Sequence, residues 1–352
     1  MTIAGKPADC PFITRLSFIN LVFDPLVVRR RDRYLVLMAI HLVTGGAGFI
    51  GSHLVTALVA RGDRVCVLDN LSTGRRANLD HVRDQVELVE GDLTDRRAVE
   101  RALDGVELVF HQAALASVPR SVTAPLETNA ACVTGTVNLL DAARQCGVRR
   151  VVYAGSSSVY GDRTAGTARR ETDLAAPVSP YAAAKAAGEL YCQAFTATYG
   201  LPTVVIRYFN VFGPRQDPQS EYAAVIPKFV TAMLAGERPT IFGDGRQSRD
   251  FTYVANVVDG NLLAADAPDA VGRTFNVACG EKLDLVDLVA AINRILGTHI
   301  EPIFGPPRAG DVRDSLADVS AAREVLGYDP QVAFDEGLRR SIEYYRTLAK
   351  KN

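Results

Sequence analysis

The sequence predicts an α/β protein in which helices cover both faces of a parallel sheet, followed by a smaller C-terminal region. From Ala39 to about Tyr208, apolar β-branched runs alternate with helical patterns, which is typical of βαβ units. The apolar runs are continuous rather than alternating, as expected for strands that are buried on both faces. Past residue 210, turns rich in Gly, Pro and charged residues become dense, which indicates a second region.

Each element is predicted from an apolar run or a helical period between turn signals. Six strands are expected, at 40–44, 64–69, 86–92, 108–113, 150–155 and 203–209. The helical patterns between them lie at 52–61, 95–103, 126–146 and 180–199. In the C-terminal region we expect short helices at about 223–235, 254–266, 283–296 and 334–348, with some elements returning to the main sheet.

The bulk composition is that of an ordinary globular protein. The chain has 352 residues, of which 48% are hydrophobic, and a formal net charge of −1. This charge gives no electrostatic reason to expect nucleic acid or an acidic membrane as a partner. The apolar runs are too short to cross a bilayer. The six cysteines are scattered without metal-ligand spacing, so we expect buried free thiols, no metal site and a cytoplasmic protein.

The first 37 residues differ from the rest of the chain. Their basic residues come late, as in "RRRDR", which makes them a poor secretory signal. Met38 opens "MAIHLVTGGAGFIGSH", which reads as a natural start of a domain that begins with a strand. Residues 1–37 are therefore interpreted as a loosely attached extension or as the product of a mis-assigned start codon.

The segment "LVTGGAGFIGSHL" comes directly after a predicted strand and opens a predicted helix. Gly45, Gly48 and Gly51 allow a tight turn, close backbone approach to a pyrophosphate and close packing of helix on strand. The helix N-terminus that contains Phe49 and Ile50 offers free N–H groups to phosphates. The alternative is a glycine turn that binds no nucleotide.

An acidic residue completes this pattern. Asp69 ends the second predicted strand, roughly 20 residues after the glycines, where an acid binds the adenine ribose diol. A carboxylate there would repel a 2′-phosphate, so NAD is favoured over NADP. The pattern predicts a Rossmann-type, doubly wound sheet, with residues 38–210 as the NAD-binding domain and 211–352 mainly as a substrate-binding region with elements returning to the main domain. The ends of the third and fourth strands add Asp92, Leu93, Ala113 and Ala114 to the same crevice.

Several motifs together resemble a known family. In order they are TGGAGFIG (44–51), LDN (68–70), GDLTD (91–95), HQAA (111–114), GSSSVYG (155–161), SPYAAAK (179–185) and RYFNVFGPRQDP (207–218). This order resembles the extended short-chain dehydrogenases/reductases, NAD-dependent nucleotide-sugar epimerases and dehydratases, and most closely the bacterial UDP-N-acetylglucosamine 4-epimerases. The resemblance implies tightly bound NAD that is regenerated in each turnover, with further cofactor contacts from Asn70, Ser72, Gly74 and Tyr208.

The resemblance also implies three catalytic residues. Tyr181 is expected to be the base, because in such enzymes a Tyr removes a sugar hydroxyl proton. A free phenol has a pKa of about 10, so it needs a nearby cation, and Lys185 one helical turn along can supply it. Ser156 is favoured as the assisting hydroxyl, with Ser157 more suited to contact the sugar. Which of Ser156, Ser157 and Ser158 is catalytic stays open at this point.

The resemblance assigns the substrate contacts as well. Arg249 and Arg308 are expected to clamp a diphosphate, because a guanidinium can bind it with two parallel hydrogen bonds. Asp311 is expected at the ribose hydroxyls. Asn210 is expected at a phosphate or the sugar, and Ala224–Val225 near the base. Ser117 and Ser157 complete the expected sugar contacts.

Position 315 bears on which sugar is used. In epimerases restricted to UDP-glucose and UDP-galactose the matching residue is usually a Tyr, so the small Ser315 leaves room for an N-acetyl group. UDP-GlcNAc/UDP-GalNAc interconversion through a transient 4-keto sugar is favoured. The alternatives are a UDP-glucose 4-epimerase, a UDP-sugar dehydratase of the same family, or a dinucleotide-sensing regulator without catalysis. Relatives commonly form homodimers, and their pathways include polysaccharide biosynthesis.

Overall fold

A computed structural model describes residues 39–162, 167–218, 224–307 and 313–349. The predicted extension at residues 1–37 lies outside these ranges, as do Arg308 and Asp311. Within the described part of the chain, no helix is long and apolar enough to cross a membrane.

The centre of the fold is a parallel sheet of seven strands. Its strand order is β11-β6-β5-β4-β1-β2-β3. The strands are β1 Ile40–Thr44, β2 Arg64–Asp69, β3 Val86–Glu90, β4 Val106–His111, β5 Arg150–Ser156, β6 Thr203–Tyr208 and, later in the chain, β11 Thr274–Val277. The order reverses between β1 and β4, so a crevice opens at the carboxyl ends of these two strands, where open α/β sheets bind ligands.

Short strands form three smaller sheets in the C-terminal part of the described chain. Two of them are parallel pairs, β10 with β7 and β13 with β8, and the third has the order β12-β9-β14. The strands are β7 Val211–Phe212, β8 Thr240–Phe242, β9 Ser248–Arg249, β10 Thr252–Tyr253, β12 Leu283–Asp284, β13 Ile303–Gly305 and β14 Asp314–Ser315.

Ten α-helices are present among the described residues. They are α1 Phe49–Ala60, α2 Arg96–Ala102, α3 Val118–Thr123, α4 Pro125–Asn129, α5 Gly135–Gln145, α6 Pro180–Tyr199, α7 Val225–Leu234, α8 Val254–Asp266, α9 Leu285–Leu296 and α10 Phe334–Ala349. A π-helical turn at Ala130–Thr134 joins α4 to α5.

The prediction of a doubly covered parallel sheet is confirmed. Leu42 and Val43, neighbours on β1, are fully buried in two different apolar clusters, one on each face of the sheet. All six predicted strands are present with small shifts at their ends. The prediction was wrong in treating 126–146 as one regular helix, because the π-turn interrupts it, and it missed α3. β11, whose position was not predicted, is an element of the C-terminal region that returns to the main sheet.

The cysteines differ partly from expectation. The five that the structure describes are all free thiols, and Cys66, Cys132 and Cys192 are buried. Cys146 is exposed and Cys279 is half-buried, so the prediction of burial was wrong for these two. Cys146 directly follows the last residue of α5.

Candidate active site

The glycine-rich segment forms a tight turn between β1 and α1. Gly45 has φ +68°, in the left-handed region that favours glycine. A Cβ atom on Gly45 would lie 2.7 Å from the Cα atom of Ala113, and one on Gly51 would lie 2.2 Å from the carbonyl oxygen of Gly45. Both glycines are therefore needed for close backbone packing, and the turn leaves a cradle open at the N-terminus of α1.

Asp69 lies at the end of β2 beside this cradle. Its carboxylate accepts hydrogen bonds from the backbone N–H groups of Ala47 (2.9 Å) and Leu71 (2.8 Å). Burial raises the pKa of Asp69, and these two hydrogen bonds oppose that shift. A Cβ atom on Gly74 would lie 2.8 Å from both carboxylate oxygens, so only glycine fits beside the acid without a shift.

Asp92 lies one strand further out. It accepts hydrogen bonds from the Asn70 amide (2.5 Å) and from the backbone and side chain of Thr94 (2.8 and 2.7 Å). Burial acts to raise the pKa of Asp92, but these hydrogen bonds outweigh it and the pKa is lowered. Asp92 is thus held as an oriented anion that accepts from the Asn70 side chain.

These groups line two neighbouring cavities at the carboxyl edge of the sheet. The larger, of about 320 Å³, contains the glycine turn, Tyr181 and Lys185, together with the predicted Phe49, Ile50, Asp69, Gly74, Ala114, Ser117 and Tyr208. The smaller, of about 60 Å³, contains the predicted Asn70, Ser72, Asp92, Leu93 and Ala113. The structure therefore brings the predicted cofactor residues to one edge.

Ser156 is the hydroxyl that interacts with Tyr181. Burial raises the pKa of Tyr181, and the hydrogen bond with Ser156 opposes this shift. The Ser156 oxygen accepts from the side-chain hydroxyl of Ser158 (2.8 Å) and from its backbone N–H (3.2 Å). Because two donors already point at this oxygen, the single proton of Ser156 is available for Tyr181. A directed series of hydroxyls thus runs from Ser158 through Ser156 to Tyr181, which favours Ser156 over Ser157.

Lys185 lies one turn further along α6 and is buried. Its ammonium donates to the carbonyl oxygen of Ala154 (2.8 Å) and stands 5.0 Å from the centre of the Tyr153 ring. Burial lowers the pKa of Lys185. The side chain is thus directed under the crevice rather than into solvent.

A third cavity, of about 300 Å³, lies on the C-terminal side. It is lined by the predicted Asn210, Ala224, Val225 and Arg249, and also by Lys228 and Gln247. Aromatic residues complete its wall, namely Phe212, Phe229, Phe242 and Phe251. A cavity with apolar walls and two cationic side chains suits a ligand with a flat ring and negative charge.

Ser315 lies next to Arg249 because β14 pairs with β9 in this register. The Asn210 amide donates to the Ser315 hydroxyl (3.3 Å) and to the Asp250 carbonyl oxygen (3.1 Å). Asn210 has φ +34°, an unusual backbone conformation for a residue other than glycine. The predicted sugar and phosphate residues are thus linked by direct contacts.

Asp250 was missed by the sequence prediction. Its carboxylate is fully buried and accepts from the backbone N–H groups of Cys279 (3.0 Å), Gly280 (3.0 Å) and Ala317 (3.2 Å). Burial raises the pKa of Asp250 to about 7, and the three backbone donors oppose this shift. The carboxylate joins three separate segments. The only indication of Asp250 in the sequence was that it directly follows Arg249, a predicted substrate contact.

Glu189 and Arg207 form a buried ion pair that was also missed. The shortest distance between them is 2.8 Å, and Arg207 also stacks over the Tyr160 ring at 4.6 Å. Glu189 lies one helical turn after Lys185, so the ion pair fixes α6 against β6. The one indication of Glu189 in the sequence was a carboxylate at helical spacing from Lys185.

Gln112 and Arg120 line the larger cavity and were likewise not predicted.

The residues present fit a dinucleotide. The cradle at Gly45 and Gly51 exists only because both positions lack a Cβ atom, and it faces the N–H groups that begin α1. The Asp69 carboxylate can accept from a ribose diol, and Lys185 supplies a cation under the same crevice. Within the described ranges, no group of His, Cys, Asp and Glu side chains could hold a metal ion.

Comparison with known proteins gives consistent results. The sequence profile of the NAD dependent epimerase/dehydratase family matches residues 41–278. A UDP-glucose 4-epimerase of Mycolicibacterium smegmatis is 44% identical over 313 residues, which is 88% of this chain and 99% of the relative.

Solved structures agree. The UDP-N-acetylglucosamine 4-epimerase from Methanobrevibacter ruminantium, in complex with UDP-N-acetylmuramic acid, is 40% identical with a TM-score of 0.84, over 88% of this chain and 99% of that one. The UDP-glucose 4-epimerase of Thermus thermophilus, in complex with NAD, is 39% identical with a TM-score of 0.81, over 87% of this chain and 99% of that one.

Proposed function

Because this chain belongs to the NAD-dependent epimerase/dehydratase family and its cofactor is NAD, we propose that it is a 4-epimerase of a UDP-hexose. UDP-GlcNAc and UDP-GalNAc are the favoured pair. The observation that carries the proposal is that Tyr181, Lys185 and the glycine turn line one cavity. The free thiols fit a reducing compartment, so we place the reaction in the cytoplasm.

The chemistry depends on the residues around Tyr181. Bound NAD supplies reversible uptake of a hydride from the sugar carbon. The Tyr181 oxygen takes the proton of the C4 hydroxyl and later returns it. Burial favours the neutral phenol, so the hydrogen bond from Ser156 and the nearby charge of Lys185 are needed to stabilise the phenolate. Gly45, Gly51, Asp69 and Lys185 would hold the cofactor.

An epimerase is favoured over a dehydratase by the acid–base groups available. Among the described residues that line the larger cavity, Asp69 is the only carboxylate, and it already accepts from Ala47 and Leu71. The positions after Ser156 are hydroxyls, Ser157 and Ser158. Without a second proton-transfer group, return of the hydride to the 4-keto sugar is the simplest outcome.

The test is a product assay on the purified protein without added NAD. It is incubated separately with UDP-GlcNAc and UDP-glucose, and the products are identified by NMR. We expect the C4 epimer of each, with faster turnover of UDP-GlcNAc. A keto-deoxy or unsaturated sugar would instead identify a dehydratase, and faster turnover of UDP-glucose would favour the alternative epimerase.

Ser315 is the proposed determinant of sugar size. In Ser315→Tyr the bulk fills the space assigned to the N-acetyl group, so we expect turnover of UDP-GlcNAc to fall by roughly 10- to 100-fold while UDP-glucose turnover is largely kept. Ser315→Ala is the matched control, because it removes the hydroxyl that accepts from Asn210 without adding bulk. Equal losses on both sugars in Ser315→Tyr would contradict the assignment.

We also propose that the protein forms a homodimer through α3, α4 and α6, which pack against one another. Large apolar side chains of these helices are exposed: Leu126 by 84%, Leu190 by 65% and Val122 by 64%. A second copy of the same face would cover them. Light scattering should give a dimer mass, and Leu190→Glu should give a monomer, whereas the control Leu348→Glu on α10 should stay dimeric.

A further inference from the structure

We propose that His111 is a positioning residue. Through hydrogen bonds with Thr44 and Thr136, it connects Ala113 at the cofactor crevice to the π-turn. The π-turn packs against α6, the helix that carries Tyr181. The inference rests on the proposed function only in taking Tyr181 as the base. The groups involved are fully or nearly fully buried, since Thr44, His111 and Thr136 are each at most 1% exposed.

The contacts form one continuous series. The Thr44 hydroxyl lies 2.8 Å from Nδ1 of His111, and the Thr136 hydroxyl lies 2.9 Å from Nε2. At one end, the backbone N–H of Ala113 donates to the Thr44 oxygen (3.3 Å). At the other, the Thr136 hydroxyl donates to the carbonyl oxygen of Cys132 (2.7 Å), within the π-turn.

The direction of each hydrogen bond is set by the number of protons available. A carbonyl oxygen only accepts, so the single Thr136 hydroxyl proton belongs to Cys132. The Thr136 oxygen must therefore accept from His111, which places the imidazole proton on Nε2. Nδ1 of the neutral ring then accepts from the Thr44 hydroxyl, whose oxygen in turn accepts from Ala113. Each donor has an acceptor only in this one arrangement of the neutral ring.

The surroundings keep the ring neutral. Burial lowers the pKa of His111 to about 3, and the charge of Lys185 acts in the same direction. Tyr153 separates the two groups, with its ring centre 5.4 Å from that of His111 and 5.0 Å from the Lys185 nitrogen. A positive charge on His111 would repel Lys185 and would reverse the hydrogen bond to Thr44.

Both ends of the series reach the active site. Ala113 is the residue that Gly45 approaches so closely that no Cβ atom fits between them, so moving Ala113 changes the cofactor cradle. The π-turn, which contains Cys132, packs against α6, the helix that carries Tyr181 and Lys185. We therefore expect the Thr44 end to affect cofactor retention and the Thr136 end to affect the chemical step.

The first experiment uses the wild-type holoenzyme and needs no sugar. With ¹⁵N-labelled histidine, NMR should show that the His111 ring carries its proton on Nε2 and does not titrate between about pH 5.5 and 8.5. His111→Gln assigns the signal, and His299→Gln, an exposed position, is the control. A proton on Nδ1, or titration in this range, would overturn the proposal.

The second experiment separates positioning from general stability. Thr44→Val and Thr136→Val keep the side-chain shape and each remove one hydroxyl. We expect Thr44→Val to speed the release of NAD about tenfold, and Thr136→Val to lower kcat about tenfold with KM unchanged. If both variants lower only Tm, with NAD release and kcat unchanged, His111 is a packing residue. Inactive wild-type protein with the expected NMR and NAD-release results would instead refute the proposed function alone.

Discussion

The two sides of the crevice are built in different ways. The cofactor side consists of the ends of adjacent parallel strands, β1, β2, β3 and β4, and its residues are brought together by regular hydrogen bonding of the main sheet. The proposed substrate side consists of strands of two or three residues, the loops between them and the first turns of α7. There, hydrogen bonds of individual side chains, rather than pairing in the main sheet, hold the residues in place.

Asp250 shows the difference most clearly. On the cofactor side, backbone pairing alone places Asp69 and Ala113 near Gly45. On the proposed substrate side, one buried carboxylate joins the end of β9 to two distant segments, one with Cys279 and Gly280 and the other with Ala317. We infer that the substrate side tolerates change in its loops but depends heavily on a few polar contacts, whereas the cofactor side depends on the shape of its backbone.

Tyr181→Phe should have the largest effect, because it removes the proton-transfer group while leaving both sides in place. We expect kcat to fall by about 10²- to 10⁴-fold, with NAD content and Tm close to those of the wild type. Tyr191→Phe, on the same helix, is the matched control. Unchanged turnover in Tyr181→Phe would show that Tyr181 is not the proton-transfer group.

Gly51→Ala should damage the cofactor side selectively. Its Cβ atom would lie 2.2 Å from the carbonyl oxygen of Gly45, a backbone atom that cannot move without opening the glycine turn. We expect the purified variant to contain little NAD, which can be measured by absorbance after denaturation, while binding of UDP, which we expect in the aromatic-lined cavity, is unchanged. Full NAD occupancy would contradict the account of the cradle.

Asp250→Asn should damage the substrate side instead. It replaces a carboxylate that accepts three backbone hydrogen bonds, so we expect KM for the UDP-sugar to rise roughly tenfold while NAD content stays unchanged. Loss of NAD with unchanged KM would show that the two sides are not independent.

The pH dependence of stability sharpens this prediction. The pKa of Asp250 is raised to about 7 in the folded protein, against about 3.9 in an unfolded chain. The folded state therefore binds the proton more tightly. The Asp250 contribution to the free energy of unfolding is largest below about pH 4, falls by on the order of 4 kcal/mol towards about pH 7, and stays constant above it. Denaturant unfolding of the wild type and Asp250→Asn between pH 4 and 8 should show this difference. Parallel pH profiles of the two proteins would contradict it.

Local sequence patterns predicted most of the cofactor side. The strand-turn-helix context of the glycines and the acid at the end of β2 are contiguous or closely spaced, and parallel strands necessarily bring their ends to one edge. The substrate side was predicted less completely. Asn210, Ala224, Val225 and Arg249 line one cavity, but their roles as substrate contacts stay predictions from the family resemblance. Arg308 and Asp311 lie outside the described residues.

Local sequence patterns were sufficient to predict the alternation of strands and helices, the glycine turn, and the residue types available for acid–base chemistry. These depend on interactions between residues close in the chain. The contacts of Ser156 with Ser158, of Asp250 with two distant segments and of His111 with two threonine hydroxyls could be seen only in the folded chain. Those of Asp250 and His111 depend on a donor and an acceptor brought together from distant parts of the chain, and burial then makes an unsatisfied partner costly.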